Sequence, residues 1–149
     1  MHKPHCSVSD SSTRVSVEEN GKKATFTNKK REAYIKTQID GCLIINQTSC
    51  DWWISRGNES ILIELKGKDV SHALDQIEAT FRFLSRENLL TAKRAGLIVC
   101  TKPSQHPAFT AKVQRAKNRL AKLFGAPLHI VRGNHEFEME KVLSHSGPF

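Results

Sequence analysis

Three residues near the middle of the chain have the types that phosphate-ester chemistry requires. Asp51 sits at the head of DWWISRG, and Glu64 and Lys66 close the run ILIELK. Two carboxylates brought together make a hard oxygen site suited to Mg²⁺ or Mn²⁺. An ion held there polarises a phosphodiester and lowers the pKa of an attacking water. An ammonium beside it orients that water or neutralises charge that develops on the phosphate.

These residues need elements that bring them together. ILIELK reads as a strand, and a strand alternates faces with period two. Ile61, Ile63 and Leu65 then point one way, and Leu62, Glu64 and Lys66 the other. If DWWISRG and SILIELKG pair as a hairpin around Gly57-Asn58, Asp51 and Glu64 lie near one end of the sheet. Glu32 enters the same argument. Asn28 is a good N-cap and Gly41 a good stop, so NKKREAYIKTQID is predicted to be a helix. On it Glu32 shares the apolar face of Ile35 and Ile39, where a carboxylate needs a partner or a cation.

The remaining pattern gives the frame. Asn20-Gly21 in RVSVEENGKKATFT predicts a hairpin with Val17 opposite Ala24, Val15 opposite Phe26 and Glu18 opposite Lys23. CLIINQ, DWWISRG and SILIELKG read as three strands. Ser71 is expected to cap a helix with Leu74, Ile77, Phe81 and Leu84 at helical spacing. AGLIVCTK follows as a buried strand, then a PSQHP loop, the helix FTAKVQRAKNRLAKLF ending at Gly125, and the strand LHIVRG. The expected fold is a single α/β domain with a mixed central sheet flanked by helices and an N-terminal β-hairpin. Residues 1–13 and 144–149 read as flexible ends of a domain spanning 14–143.

The chain has 149 residues and a formal net charge of +8. A single domain of that size buries roughly 68–70% of its unfolded surface. No acidic residue falls between Glu87 and Glu136, whereas Lys93, Arg94, Lys102, Lys117 and Arg132 do. In the helix after the PSQHP loop, Lys112, Arg115, Arg119 and Lys122 recur at i, i+3, i+7 and i+10, beside a buried stripe of Val113, Ala116, Leu120 and Leu123. Such a basic stripe implies a polyanionic partner, most simply nucleic acid, with a solvated surface and an anionic membrane as alternatives. Lys22, Lys23, Lys29, Lys30 and Arg31 form a second basic cluster. Trp52 and Trp53 read as sheet packing. No apolar run approaches the ~20 residues of a membrane span, and the start, MHKPHCSVSD, lacks a signal-peptide core. A cytoplasmic protein is therefore expected, with Cys6, Cys42, Cys50 and Cys100 as reduced thiols. His2, His5 and Cys6 have metal-ligand types but read as a frayed terminus.

Asp51 followed by Glu64-Leu65-Lys66 on a strand, and then a helix, resembles the PD-(D/E)XK nuclease superfamily. Its restriction-endonuclease-like core of helix, three strands, helix and strand is similar to the order expected from Asn28 to Lys102. The resemblance implies that Asp51, Glu64 and the Leu65 carbonyl hold Mg²⁺ or Mn²⁺, with Lys66 assisting the nucleophilic water. Glu32 resembles the first-helix Glu of the archaeal Holliday-junction-resolvase branch, and Gln76, in HALDQIEATF, resembles a second-helix Gln of some branches. Cys50 stands where the superfamily's name has Pro. The implied activity is a Mg-dependent endonuclease acting on DNA. A small single domain without an obvious specificity module suggests recognition of structure rather than a long sequence, and a homodimer is expected because one active site cuts one strand. The alternative is a non-catalytic nucleic-acid- or protein-binding module that keeps the fold. A GNHE stretch at Gly133–Glu136 resembles a metallophosphoesterase box but lacks the accompanying DxH, so Asn134 and His135 read as a turn.

Overall fold

The computed structural model describes residues 4–102 and 106–149. The chain runs β1 (Ser7–Asp10), β2 (Arg14–Glu19), β3 (Lys22–Thr27), β4 (Tyr34–Gln38), β5 (Trp52–Arg56), β6 (Glu59–Lys66), α1 (Val70–Arg86), β7 (Lys93–Cys100), α2 (Pro107–Phe124), β8 (Leu128–Arg132), β9 (Glu136–Phe137) and α3 (Met139–Val142). His2, and residues 103–105 of the expected PSQHP loop, lie outside the described residues.

Two sheets and two helices stack as layers of a single α/β domain. The main sheet is mixed, in the order β1-β4-β5-β6-β7-β8. Strands β1, β4, β5 and β6 are antiparallel neighbours, and β6, β7 and β8 are parallel. The α1 and α2 crossovers supply the parallel half. Ile61, Ile63 and Leu65 pack with Val15, Val17 and Phe26 of the second sheet, β2-β3-β9. Leu62 packs on the other side, with Ile77 and Phe81 of α1 and Leu120 of α2. This is the alternation expected of ILIELK. Gly96 lets α1 close on β7, because a Cβ there would meet Leu128 Cδ1 at 3.0 Å and Ile77 Cγ2 at 3.1 Å. No helix among the described residues is long and apolar enough to cross a membrane.

The Asn20-Gly21 hairpin forms in the expected register, with Val17 opposite Ala24, Val15 opposite Phe26 and Glu18 opposite Lys23. The helix predicted over 28–40 does not form. Asn28 closes a loop instead: its Oδ1 accepts from the Glu32 amide at 3.0 Å, and its Nδ2 donates to the carbonyls of Ser12 and Glu32 at 2.9 and 2.8 Å. Such side-chain bonds compete with helix formation. Arg31, at φ 53°, breaks the helical path. Tyr34 to Gln38 then forms a strand instead, paired on one side with β1 and on the other with β5, with Tyr34 and Thr37 buried on opposite faces. The order from Asn28 to Lys102 is therefore three strands, a helix and a strand, with no first helix.

Other expectations change as well. CLIINQ is a turn region closed by the Asp40–Ile44 bridge, with Gly41 at φ 78°. The cap of α1 is Asp69, whose side chain accepts from the His72 amide, rather than Ser71. Leu123 is exposed, and Ala116, Leu120 and Phe124 form the buried stripe of α2. Within the expected loose ends, Ser7–Asp10 pairs with β4, and Phe149 stacks on Phe137 at 5.7 Å. Cys6 and Cys42 are joined by a disulfide, whereas Cys50 and Cys100 are buried free thiols. The pairing of β1 with β4 carries Cys6 to the turn that follows β4, a proximity invisible in sequence.

Candidate functional site

Strand pairing brings the two central carboxylates together. Trp52 pairs with Ile63, so Asp51 and Glu64 follow at the same end of the β5–β6 ladder. The Asp51 amide donates to Glu64 Oε1 at 3.1 Å, and Asp51 Oδ2 accepts from the Leu65 amide at 2.9 Å. Lys66 Nζ lies 3.4 Å from Glu64 Oε2. Both carboxyls, Leu65 and Lys66 border a cavity of about 320 Å³.

α1 fixes the chain that leads into Asp51. Gln76 Nε2 donates to the Ser49 carbonyl at 3.1 Å, and the Cys50 amide donates to Thr80 Oγ1 at 2.8 Å. Thr80 Oγ1 donates in turn to the Gln76 carbonyl at 2.8 Å. Gln76, only 8% exposed, lies on the cavity wall, and its Oε1 has no hydrogen-bond partner among the described residues. A buried amide oxygen without a partner is unfavourable unless a ligand or water meets it.

The electrostatics are those of an acidic site short of positive charge. Burial pushes the Glu64 carboxyl up to about 8, and the neighbouring Asp51 charge adds to this, against the pull of Lys66. Burial also raises the Asp51 carboxyl; the Leu65 amide and Lys66 oppose the rise, while the charges of Glu19 and Asp40 reinforce it. Burial pushes the Cys50 thiol far up, so it is apolar packing rather than a nucleophile.

Several expected residues lie elsewhere. Glu32 is in the loop before β4, and its Oε2 is 3.8 Å from Arg56 Nε. Arg56 ends β5 and Asp51 precedes it, so Glu32 is at the opposite end of that strand from the site. Lys29 and Lys30 line a separate cavity of about 210 Å³ with Glu32. Arg31 is exposed in the same loop. On α2, Lys112 Nζ donates to Ser71 Oγ at 2.7 Å and meets Asp75 at 3.4 Å, and Arg119 meets Glu78 at 2.8 Å. These two cations bind α2 to α1. Arg115 and Lys122 stay exposed. Trp52 and Trp53 are half-buried on opposite faces of β5, as packing residues should be.

Glu19, Asn20, Lys22 and Asp40, none of them expected at the site, complete the acidic cavity's rim. The first three sit at the hairpin tip, which the second sheet carries over the end of β6. The signal for Asp40 is local: a carboxylate directly before the turn glycine, Gly41. Neither Asp40 nor Glu19 joins Asp51 and Glu64 in a cluster of three ligand atoms among the described residues. Two further cavities adjoin. One of about 530 Å³ shares Asp40 and Gln76, and one of about 450 Å³ lies between Lys68 and Lys112 at the N-termini of α1 and α2. Compared with known protein families, curated proteins and solved structures, the chain matches none of them.

Proposed function

We propose that the chain is a divalent-metal-dependent nuclease that hydrolyses phosphodiester bonds, with DNA as its substrate and structure rather than long sequence as its cue. The observation that carries this reading is the meeting of Asp51 and Glu64 on one cavity with Lys66 beside them. The donor set fits Mg²⁺ or Mn²⁺: two hard carboxylates, both raised in pKa, on one cavity. Two protein carboxylates are enough for Mg²⁺, which usually keeps several waters. The likeness of Asp51 and Glu64-Leu65-Lys66 to the PD-(D/E)XK pattern agrees and adds the Leu65 carbonyl as a ligand. That likeness now rests on these residues, Gln76 and the strand–helix–strand that follows, without Glu32.

Each residue has a stated part. Asp51 and Glu64 hold the ion, which supplies Lewis-acid polarisation of the phosphate when bound. Lys66 places its ammonium where charge develops on the phosphate or where a water must be oriented. Gln76 orients the ion's surroundings and anchors the backbone before Asp51. Lys22, Lys68, Arg115 and Lys122 offer positive charge to the flanking backbone, which positions a substrate without reading bases.

The test is cleavage of supercoiled, linear and branched DNA, and of RNA, in Mg²⁺, Mn²⁺ or chelator. Nicking that needs the ion and stops in Lys66→Ala and Asp51→Ala supports the enzyme. Binding without cleavage by the unaltered chain and both variants makes it a binding module instead.

A further inference from the structure

A second set of ligands lies outside the acidic cavity. Cys6 ends the short 3-10 turn that leads into β1, and Cys42 lies in the turn after β4. His5 adjoins them: one ring nitrogen of His5 and the two sulfurs all lie within 4.8 Å of one another. The Cα atoms of the cysteines are 5.8 Å apart and are held there by the β1–β4 ladder, whose first pair is Ser7 with Thr37. A tetrahedral zinc ion, with bonds of about 2.0–2.3 Å, needs ligand atoms roughly 3.3–3.8 Å apart. Small side-chain rotations provide this once the sulfurs are no longer bonded to each other.

We propose that the reduced chain binds one soft divalent ion of the zinc class through His5, Cys6 and Cys42, and that the disulfide is the metal-free, oxidised form of the same site. The donor set selects the metal. Two thiolates and an imidazole suit zinc, whereas Mg²⁺ and Mn²⁺ prefer the oxygens of the acidic cavity. The chemistry balances. A dithiol reductant gives two electrons and two protons to the Cys6–Cys42 bond, forming two thiols while it becomes a disulfide. The ion then displaces both thiol protons. His5 is exposed, so the ion has a route from solvent, while Cys6 is buried. Either form ties the start of β1 to the turn that begins at Asp40, and Asp40 borders the acidic cavity. The inference stands without the nuclease reading.

Cobalt titration of the full chain tests it. After treatment with a phosphine reductant, one equivalent of Co²⁺ should give sulfur-to-cobalt charge-transfer absorption and the visible bands of a tetrahedral ion. Excess Zn²⁺ should bleach both. Cys42→Ser should remove the charge-transfer band or halve it with loss of tight binding. His5→Ala, which leaves both cysteines in place, should weaken binding by at least about 10–100-fold, the cost of losing even an outer partner. Asp51→Asn should leave the band unchanged, separating this ion from any held by the carboxylates. Protein oxidised with diamide should not bind. The inference is overturned if the reduced chain gives no thiolate band, or if oxidised protein or Cys42→Ser binds the ion as well as reduced wild type does.

Discussion

Asp51 and Glu64 hold each other through the backbone: the Asp51 amide donates to Glu64 Oε1 at 3.1 Å, while Asp51's own carboxylate takes the amide of Leu65 at 2.9 Å. Each acid is thus positioned by main chain, and their charges are forced together in a buried place. Two like charges there are unfavourable unless one is protonated or a cation lies beside them.

The first consequence is for stability in chelator. Glu64 titrates near 4.5 when unfolded and at about 8 when folded. The folded state therefore binds more protons between those values, and stability falls as pH rises from about 4.5 to about 8. Glu64→Gln keeps an acceptor for the Asp51 amide and removes this dependence. At pH 8 it should melt several degrees above wild type, equivalent to on the order of 3 kcal/mol. At pH 4.5 the two should nearly coincide. Parallel melting curves at both pH values, with the same gap, would refute the buried-charge account.

A second consequence concerns the ion. Binding requires Glu64 ionised, so affinity for Mn²⁺ should rise about tenfold per pH unit up to about 8 and then level. Between pH 6 and pH 8 the gain should be about 50-fold. Calorimetry in buffers of different ionisation enthalpy should show a proton released on binding. An affinity independent of pH over that range would exclude Glu64 as a ligand.

The cations of α2 should divide into two classes. Lys112 and Arg119 engage Asp75 and Glu78 of α1. Replacing either with Ala should lower stability by about 0.2–1 kcal/mol, as for other exposed pairs. Arg115 and Lys122 are exposed on the same helix. Their double Ala variant should fold normally, bind DNA more weakly and lower the salt slope of binding by as much as about 1.8, near 0.9 per lost phosphate contact. Fluorescence anisotropy over a salt series reads this directly, and an unchanged slope would remove α2 from the interface.

Thr80→Val tests the strut behind Asp51. Thr80 is fully buried, accepts from the Cys50 amide and donates to the Gln76 carbonyl. Valine has nearly the same shape but leaves that buried amide unpaired, at a cost of about 1–3 kcal/mol. Denaturant titration should show this loss, together with weaker Mn²⁺ binding, although residue 80 touches no ion. Loss of stability without any change in ion binding would mean that α1 does not set the site.

The sequence carried the site's centre and missed its rim, for physical reasons that can be named. Local chemistry settles the Asn20-Gly21 hairpin, and a two-residue period fixes which face Glu64 takes on β6. The pairing of Asp51 with Glu64 followed, because the turn at Gly57-Asn58 leaves little choice of register. Ile35 and Ile39 stand at helical spacing, whereas Tyr34–Gln38 is a strand because β1 and β5 pair with it on either side, a tertiary cause that local spacing does not carry. Glu32 fell out of the site with that helix. The nearness of Glu19, Asp40 and the Cys6–Cys42 pair depends on which strands become neighbours. Contacts between β1 and β4, and between the second sheet and β6, join segments far apart along the chain, and residue spacing does not encode them.

Strand β6 has an antiparallel neighbour a tight turn away and a parallel neighbour reached only through α1. The first partnership is quick to form; the second waits for a long loop to close. A chain emerging from the ribosome thus holds both carboxylates well before it has the scaffold that buries them. Truncation between β6 and β7 would leave a β5–β6 hairpin whose open end holds both carboxylates in water, with neither their raised pKa values nor the walls of a pocket. The buried carboxylate pair therefore belongs to β5, β6, α1 and β7 together, and to no one of them alone.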